Sequence, residues 1–115
     1  MQTDPIAWID VGAADELASR PLQQALLGRK KIALTCKDGQ FSAISGVCNH
    51  AGGPLGEGTL DGDYIVCPWH YWKFHRVTGL GEPGYEKDAV PAHEVKVEQG
   101  RVLVNAEPFA KRSRL

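Results

Sequence analysis

The sequence predicts an all-β domain, and three observations carry that prediction. Thirteen glycines and seven prolines cut the 115 residues into short apolar runs. Three tight-turn signals, Asp38–Gly39, Asp61–Gly62–Asp63 and Glu98–Gln99–Gly100, each stand between two such runs. Pairs of this kind supply the positive φ that short hairpin turns require. Almost nothing repeats with a helical period, so a sandwich or barrel-like packing of short strands is expected.

Each element follows from its own residues. Ile6–Val11 alternates around Trp8 and is expected to be the first strand. Asp15–Ala18 can form one helical turn before Pro21 stops it. Pro21–Leu27 fits strand or helix, and the turn residues Gly28–Arg29–Lys30 behind it favour strand. Lys31–Cys36 is the next strand and Gln40–Ser45 its hairpin return. Thr59–Leu60 and Tyr64–Cys67 flank the second turn, and His93–Val97 and Arg101–Val104 flank the third. There is no internal repeat and no low-complexity segment. One domain over residues 1–115 is expected, with a basic tail from about residue 106 whose Lys111, Arg112 and Arg114 fray at the terminus.

Composition excludes several classes. A net charge of −1 and the lack of a basic stripe argue against nucleic-acid or membrane-surface binding. No window approaches eighteen apolar residues, so no membrane span is expected. Met1–Pro5 lacks a basic segment leading into an apolar one, and no arginine pair stands near the start; a cytoplasmic protein is expected. Three cysteines, two of them beside histidines, suit metal binding better than a disulfide framework. The carboxylates are scattered and no nucleophile constellation is present, so the chain is not expected to be an enzyme by itself.

The chemistry concentrates in C-N-H at Cys48–His50 and C-P-W-H at Cys67–His70, both placed in turns at strand ends. Zinc sites usually repeat one ligand type in each half. Here each half supplies one cysteine and one histidine, which suits a two-iron cluster held from both ends by two loops; a zinc-stabilised structural domain is the alternative. The low-bulk loop Ala51–Gly56 lets backbone amides approach an anionic centre, and hydrogen bonds to bridging sulfur stabilise its reduced state.

C-N-H-A-G-G-P-L, then C-P-W-H-Y-W-K-F with V-T-G behind it, resembles the Rieske-type [2Fe–2S] proteins. The pattern is C-x-H, sixteen residues, then C-x2-H, and the similarity runs from about Lys31 to Val104. The resemblance implies one [2Fe–2S] cluster per chain, with Cys48 and Cys67 on one iron and His50 and His70 on the other. It implies three small antiparallel sheets with two cluster loops, about 47–56 and 66–73, forming a tip. Pro54, Leu55, Trp69 and Pro83 would cover the cluster, and the outer edges of His50 and His70 would face solvent.

The quinol-oxidising branch of that family carries a loop disulfide, and Gly53 and Trp69 stand at its two positions. It also carries a serine and a tyrosine that donate to cluster sulfurs; here those positions are Trp72 and Phe74. Without these donors the potential is expected in the lower part of the Rieske range of about −150 to +300 mV. The chain is similar to the ferredoxin components of aromatic-ring dioxygenases. The implied function is a soluble, monomeric one-electron carrier between a flavin-dependent reductase and a terminal oxygenase, both docking near His50 and His70. The alternatives are a relay domain of a larger redox enzyme, such as the small subunit of assimilatory nitrite reductase, and a cluster-based redox sensor. Two positions depart from the family: Tyr71 where glycine is usual, and His75 where an acidic residue is common. With four ligands in place, His75 and His93 are expected to pack, as are Trp8 and Trp72, and Cys36 to be a small core residue.

Overall fold

The computed structural model describes residues 8–48, 52–69, 71–85 and 87–108. The short runs become strands β1 (Trp8–Ala13), β2 (Leu22–Leu27), β3 (Lys30–Lys37) and β4 (Gln40–Ser45). They continue with β5 (Thr59–Asp61), β6 (Tyr64–Val66), β7 (Lys73–His75), β8 (Ala92–Glu98) and β9 (Arg101–Pro108). One helical turn, α1 (Ala14–Leu17), follows β1, and a short 3-10 turn spans Leu55–Glu57. The Asp38–Gly39 signal makes the two-residue turn expected of it: φ is +52° and +79°, and Lys37 pairs with Gln40 across it.

Hydrogen bonding arranges the strands as a six-stranded antiparallel sheet, β1-β9-β8-β4-β3-β2, and a three-stranded one, β5-β6-β7. The join between β4 and β8 is two pairs long, Ala43 with His93 and Ile44 with Ala92. The three small sheets expected are therefore β1-β9-β8, β4-β3-β2 and β5-β6-β7, the first two fused by a short ladder.

Period-two alternation gives β3 and β4 two different faces. Ile32, Leu34 and Ala43 point into one core with Leu27, Val102 and Val104, flanked by Ile9, Val11 and Leu17. Ala33 and Ile44 point the other way, into a second core with Leu55, Ile65, Phe74, Val90, Cys48 and Cys67. The six-stranded sheet thus rests the small sheet and its loops on its far face.

A buried cation pins the two sheets together. Arg76, 4% exposed, follows β7 and reaches β3 and β4. Its Nε donates to Thr35 Oγ1 at 3.0 Å and its Nη2 to the Gln40 carbonyl at 2.8 Å, while Nη1 lies 3.8 Å from Asp63. Thr35 in turn shares a hydrogen bond with Ser42. Lys37, 3.0 Å from Asp63, holds that carboxyl below its usual range against the opposing effect of desolvation, with Arg76 and His75 adding to the lowering. Arg76→Met is expected to cost about 3 kcal/mol, since it strands buried acceptors between the sheets. A denaturant midpoint unchanged within error would refute this.

Three details differ from expectation. β9 continues past Val104 to Pro108, through the residues expected to begin the tail, because it has partners on both sides: Asn105 pairs with Trp8, and Pro108 with His93. Cys36 is half-buried on β3 opposite Phe41, not a core residue. Among the described residues one turn also occurs three times, headed by Cys48, Cys67 and His75, although the sequence carries no repeat.

Candidate metal centre

Cys48 and Cys67 are 2% and 0% exposed, unoxidised, and members of the same apolar core. Each heads a turn with the same two backbone bonds. The Cys48 N–H donates to the Gly53 carbonyl and the Gly52 N–H to the Cys48 carbonyl, both at 2.9 Å. The Cys67 N–H donates to the Trp72 carbonyl at 2.8 Å and the Tyr71 N–H to the Cys67 carbonyl at 2.9 Å. The fifth residue is left-handed in both, with φ +76° at Gly52 and +62° at Tyr71. Two unlike peptides therefore present their thiols from one geometry.

A third copy follows immediately. The His75 N–H donates to the Leu80 carbonyl at 2.7 Å, the Gly79 N–H donates to the His75 carbonyl at 2.9 Å, and Gly79 has φ +77°. Here the head residue is an imidazole: His75 Nδ1 accepts the amides of Val77 at 3.1 Å and Thr78 at 3.4 Å. Its ring also meets Tyr64 edge-on, with centroids 5.3 Å apart. His75 thus heads a turn, with its Nδ1 taken up by two backbone amides. Sequence reading missed the recurrence, although glycine four residues after both Cys48 and His75 was its signal.

The loops approach closely. A Cβ added at Gly53 would lie 2.6 Å from Cys67 Sγ and 3.1 Å from Trp69 Cγ. Gly53 and Trp69, the two positions of the absent loop disulfide, therefore lie against one another. Phe74 is completely buried in the core that holds both thiols, and Trp72 packs on its edge and against Tyr85. Of the residues expected to cover the cluster, Leu55 is fully buried and Pro54 half-buried, whereas Trp69 is 56% exposed and Pro83 is exposed.

His50 and His70 lie outside the described residues, and among those that are described no three His, Cys, Asp or Glu side chains form a metal site. The donor chemistry nevertheless fits a cluster. Two buried thiols on matched turns, unlinked and enclosed by apolar side chains, are suited to ligate iron as thiolates. His93 is a packing residue, as expected: it is buried, and its Nδ1 bonds to the Asn105 carbonyl at 2.8 Å. Trp8 is half-buried beneath Lys96, whose Nζ stands 4.3 Å from the ring centre.

Tyr71 is a strained position. A non-glycine residue in the left-handed region costs roughly 1–2 kcal/mol, and this side chain is 73% exposed. Tyr71→Gly removes that strain but adds unfolded-state freedom worth about 0.5–1 kcal/mol. A net stabilisation of about 0.5–1 kcal/mol is expected for Tyr71→Gly and none for Tyr71→Ala, which keeps the strain. Equal effects of the two in thermal unfolding would contradict this.

Comparison with known proteins agrees with the geometry. The family model described as the Rieske [2Fe–2S] domain matches residues 7–102. The ferredoxin component of the alkene monooxygenase system of Xanthobacter autotrophicus is 33% identical over 112 residues, 96% of this chain and 90% of that protein. Ferredoxin CarAc of Metapseudomonas resinovorans is 35% identical over 103 residues, 87% of this chain and 94% of its own. A solved complex of reduced oxygenase and oxidised ferredoxin in carbazole 1,9a-dioxygenase contains a chain that superposes with a TM-score of 0.78 at 31% identity, covering 90% of this chain and 97% of that one. With a family model matched over residues 7–102 and relatives of this likeness, the chain belongs to the Rieske [2Fe–2S] domain family.

Proposed function

We propose that this chain is a one-electron carrier, a Rieske-type ferredoxin that takes electrons from a flavin-dependent reductase and delivers them to a terminal oxygenase or similar redox enzyme. The observation that carries the reading is the pair of buried, unlinked thiols on matched turns, in a chain whose relatives are named ferredoxin components of oxygenase systems. Cys48 and Cys67 hold the inner iron, and His50 and His70 the outer one, in one domain over residues 1–115 with cluster loops at about 47–56 and 66–73. When bound, the cluster supplies reversible uptake of one electron.

The chain's own residues hold that centre still and keep it dry. Matched backbone bonds fix each loop at its thiol, Arg76 ties the small sheet to the large one, and Leu55 and Phe74 exclude water from beneath. Partners are expected to dock near His50 and His70. Trp69, Tyr71 and Tyr85, each more than half exposed on or beside the second loop, favour an aromatic contact there. A soluble, cytoplasmic monomer is the form proposed; no helix among the described residues is long and apolar enough to cross a membrane.

The test is a single-turnover reaction. Protein reduced with dithionite and freed of excess reductant should reduce cytochrome c with one electron per chain and recover its oxidised visible spectrum. A colourless, zinc-loaded native protein would overturn the reading, as would a cluster that passes no electron.

A further inference from the structure

Beside the first cluster loop lies a cleft of about 530 Å³ with a cationic rim. Arg29, Lys30 and Lys31, consecutive at the β2–β3 turn, line it and are exposed. Cations elsewhere on or next to the strands are neutralised: Lys37, Lys73, Arg76, Lys96 and Arg101 each meet a carboxylate, at 3.0, 3.0, 3.8, 3.2 and 2.9 Å. Among the described residues, Arg29, Lys30 and Lys31 meet none, and no carboxylate lines the cleft. Its inner wall holds His93, held below its usual pKa first by burial and also by the charge of Lys30, against the raising effect of the Asn105 carbonyl. Three adjacent unpaired cations on a chain of net charge −1 are a local feature that the overall charge conceals.

The cleft is continuous with the cluster loop. Val47, 46% exposed, forms its apolar shoulder and directly precedes Cys48. The Gly46 N–H donates to the Lys31 carbonyl at 2.8 Å, so the cationic turn and the loop are fastened together. A carboxylate seated on Arg29–Lys31 would bring its owner against the edge of the cluster tip.

We propose that this cleft receives an acidic partner: carboxylates on the protein that exchanges electrons with this chain dock on Arg29, Lys30 and Lys31 beside the first cluster loop. The proposal rests on the electron-carrier reading above and adds the partner's charge. Attraction of this kind acts mainly on encounter, by factors of 10 to 10³, and fades with salt.

The experiment uses the cluster-loaded protein with two haem acceptors of opposite surface charge, acidic cytochrome b5 and basic cytochrome c. Reduction of cytochrome b5 should slow as salt is added. In the Arg29→Gln/Lys30→Gln/Lys31→Gln variant it should be about tenfold slower at low salt. Binding of cytochrome b5 to the oxidised protein, followed by amide shifts, should map to residues 29–31 and 45–47 and be lost in the variant. Lys30→Glu should slow cytochrome b5 more than Arg20→Glu, which makes the same change in net charge roughly 20 Å away at the other end of β2. Equal effects of the two, or no salt dependence, would overturn the proposal. So would saturable binding of inorganic phosphate in the cleft with unchanged cytochrome b5 kinetics, which marks a small-anion site. Electron transfer to neither acceptor would instead overturn the carrier reading.

Discussion

Cys67→Ala is expected to yield a colourless protein without iron, and Gly53→Ala to come close to the same result with every proposed ligand intact. Cys67 is completely buried, and the remaining thiol, Cys36, lies on β3 outside the core that holds Cys48 and Cys67. No thiol stands ready to replace it. The Gly53 change acts by contact: its new Cβ would lie 2.6 Å from Cys67 Sγ, closer than such atoms can stand. The sulfur cannot yield without leaving its position on the turn, and Trp69 Cγ at 3.1 Å closes the other side. Overpacking of this kind costs about 1–3 kcal/mol, here concentrated on one ligand. Iron analysis and visible absorption check both variants. Circular dichroism should stay that of a β protein, because the core of Ile32, Leu34, Val102 and Val104 lies on the other face of the large sheet. Full iron content in Gly53→Ala would refute the close approach of the loops.

Phe74→Tyr should raise the reduction potential by roughly 40–90 mV. Phe74 has no solvent exposure and shares a core with Cys48 and Cys67, so a hydroxyl added to its ring must find a partner inside. Sulfur atoms of the centre are the acceptors that the tyrosine at this position of the quinol-oxidising branch suggests. A donor there favours the reduced, more negative state. A preference of about 1–2 kcal/mol converts to that shift at 59 mV per tenfold for one electron. Potentiometric titration of both proteins gives the answer. An unchanged or lowered potential would mean that the hydroxyl points elsewhere and that the absent donors do not set the potential.

How much of this was legible in the sequence depends on the range of the forces involved. Hairpins marked by Asp38–Gly39, Asp61–Gly62 and Gln99–Gly100 are decided by local φ, so their strands, the far end of β9 excepted, were readable almost to the residue. Pro21–Leu27 was ambiguous from its own pattern and became a strand by pairing with β3 along its whole length. The extension of β9 to Pro108 depends on pairing at both edges, Asn105 with Trp8 and Pro108 with His93, and the first of these partners lies some ninety residues away in the chain. Arg76 is similar: an arginine after a short strand gives no sign that it will be buried between two sheets. The cysteine and histidine motif stands out in the sequence because ligand chemistry restricts residue types, and the structure places its two cysteines in one core. The likeness of the turns at Cys48, Cys67 and His75 was not readable, since it resides in backbone bonds that Gly52 and Tyr71 satisfy equally.

Two thiols and two imidazoles are proposed to hold a two-iron centre together in this chain. Pulsed electron paramagnetic resonance of the reduced native protein, read alongside iron and sulfide analysis, tests it most directly. Nitrogen couplings from two imidazoles are predicted, with two irons and two sulfides per chain, and both couplings should respond to His50→Cys and His70→Cys. A reduced cluster without nitrogen coupling, or a native protein carrying zinc in place of iron, would contradict it.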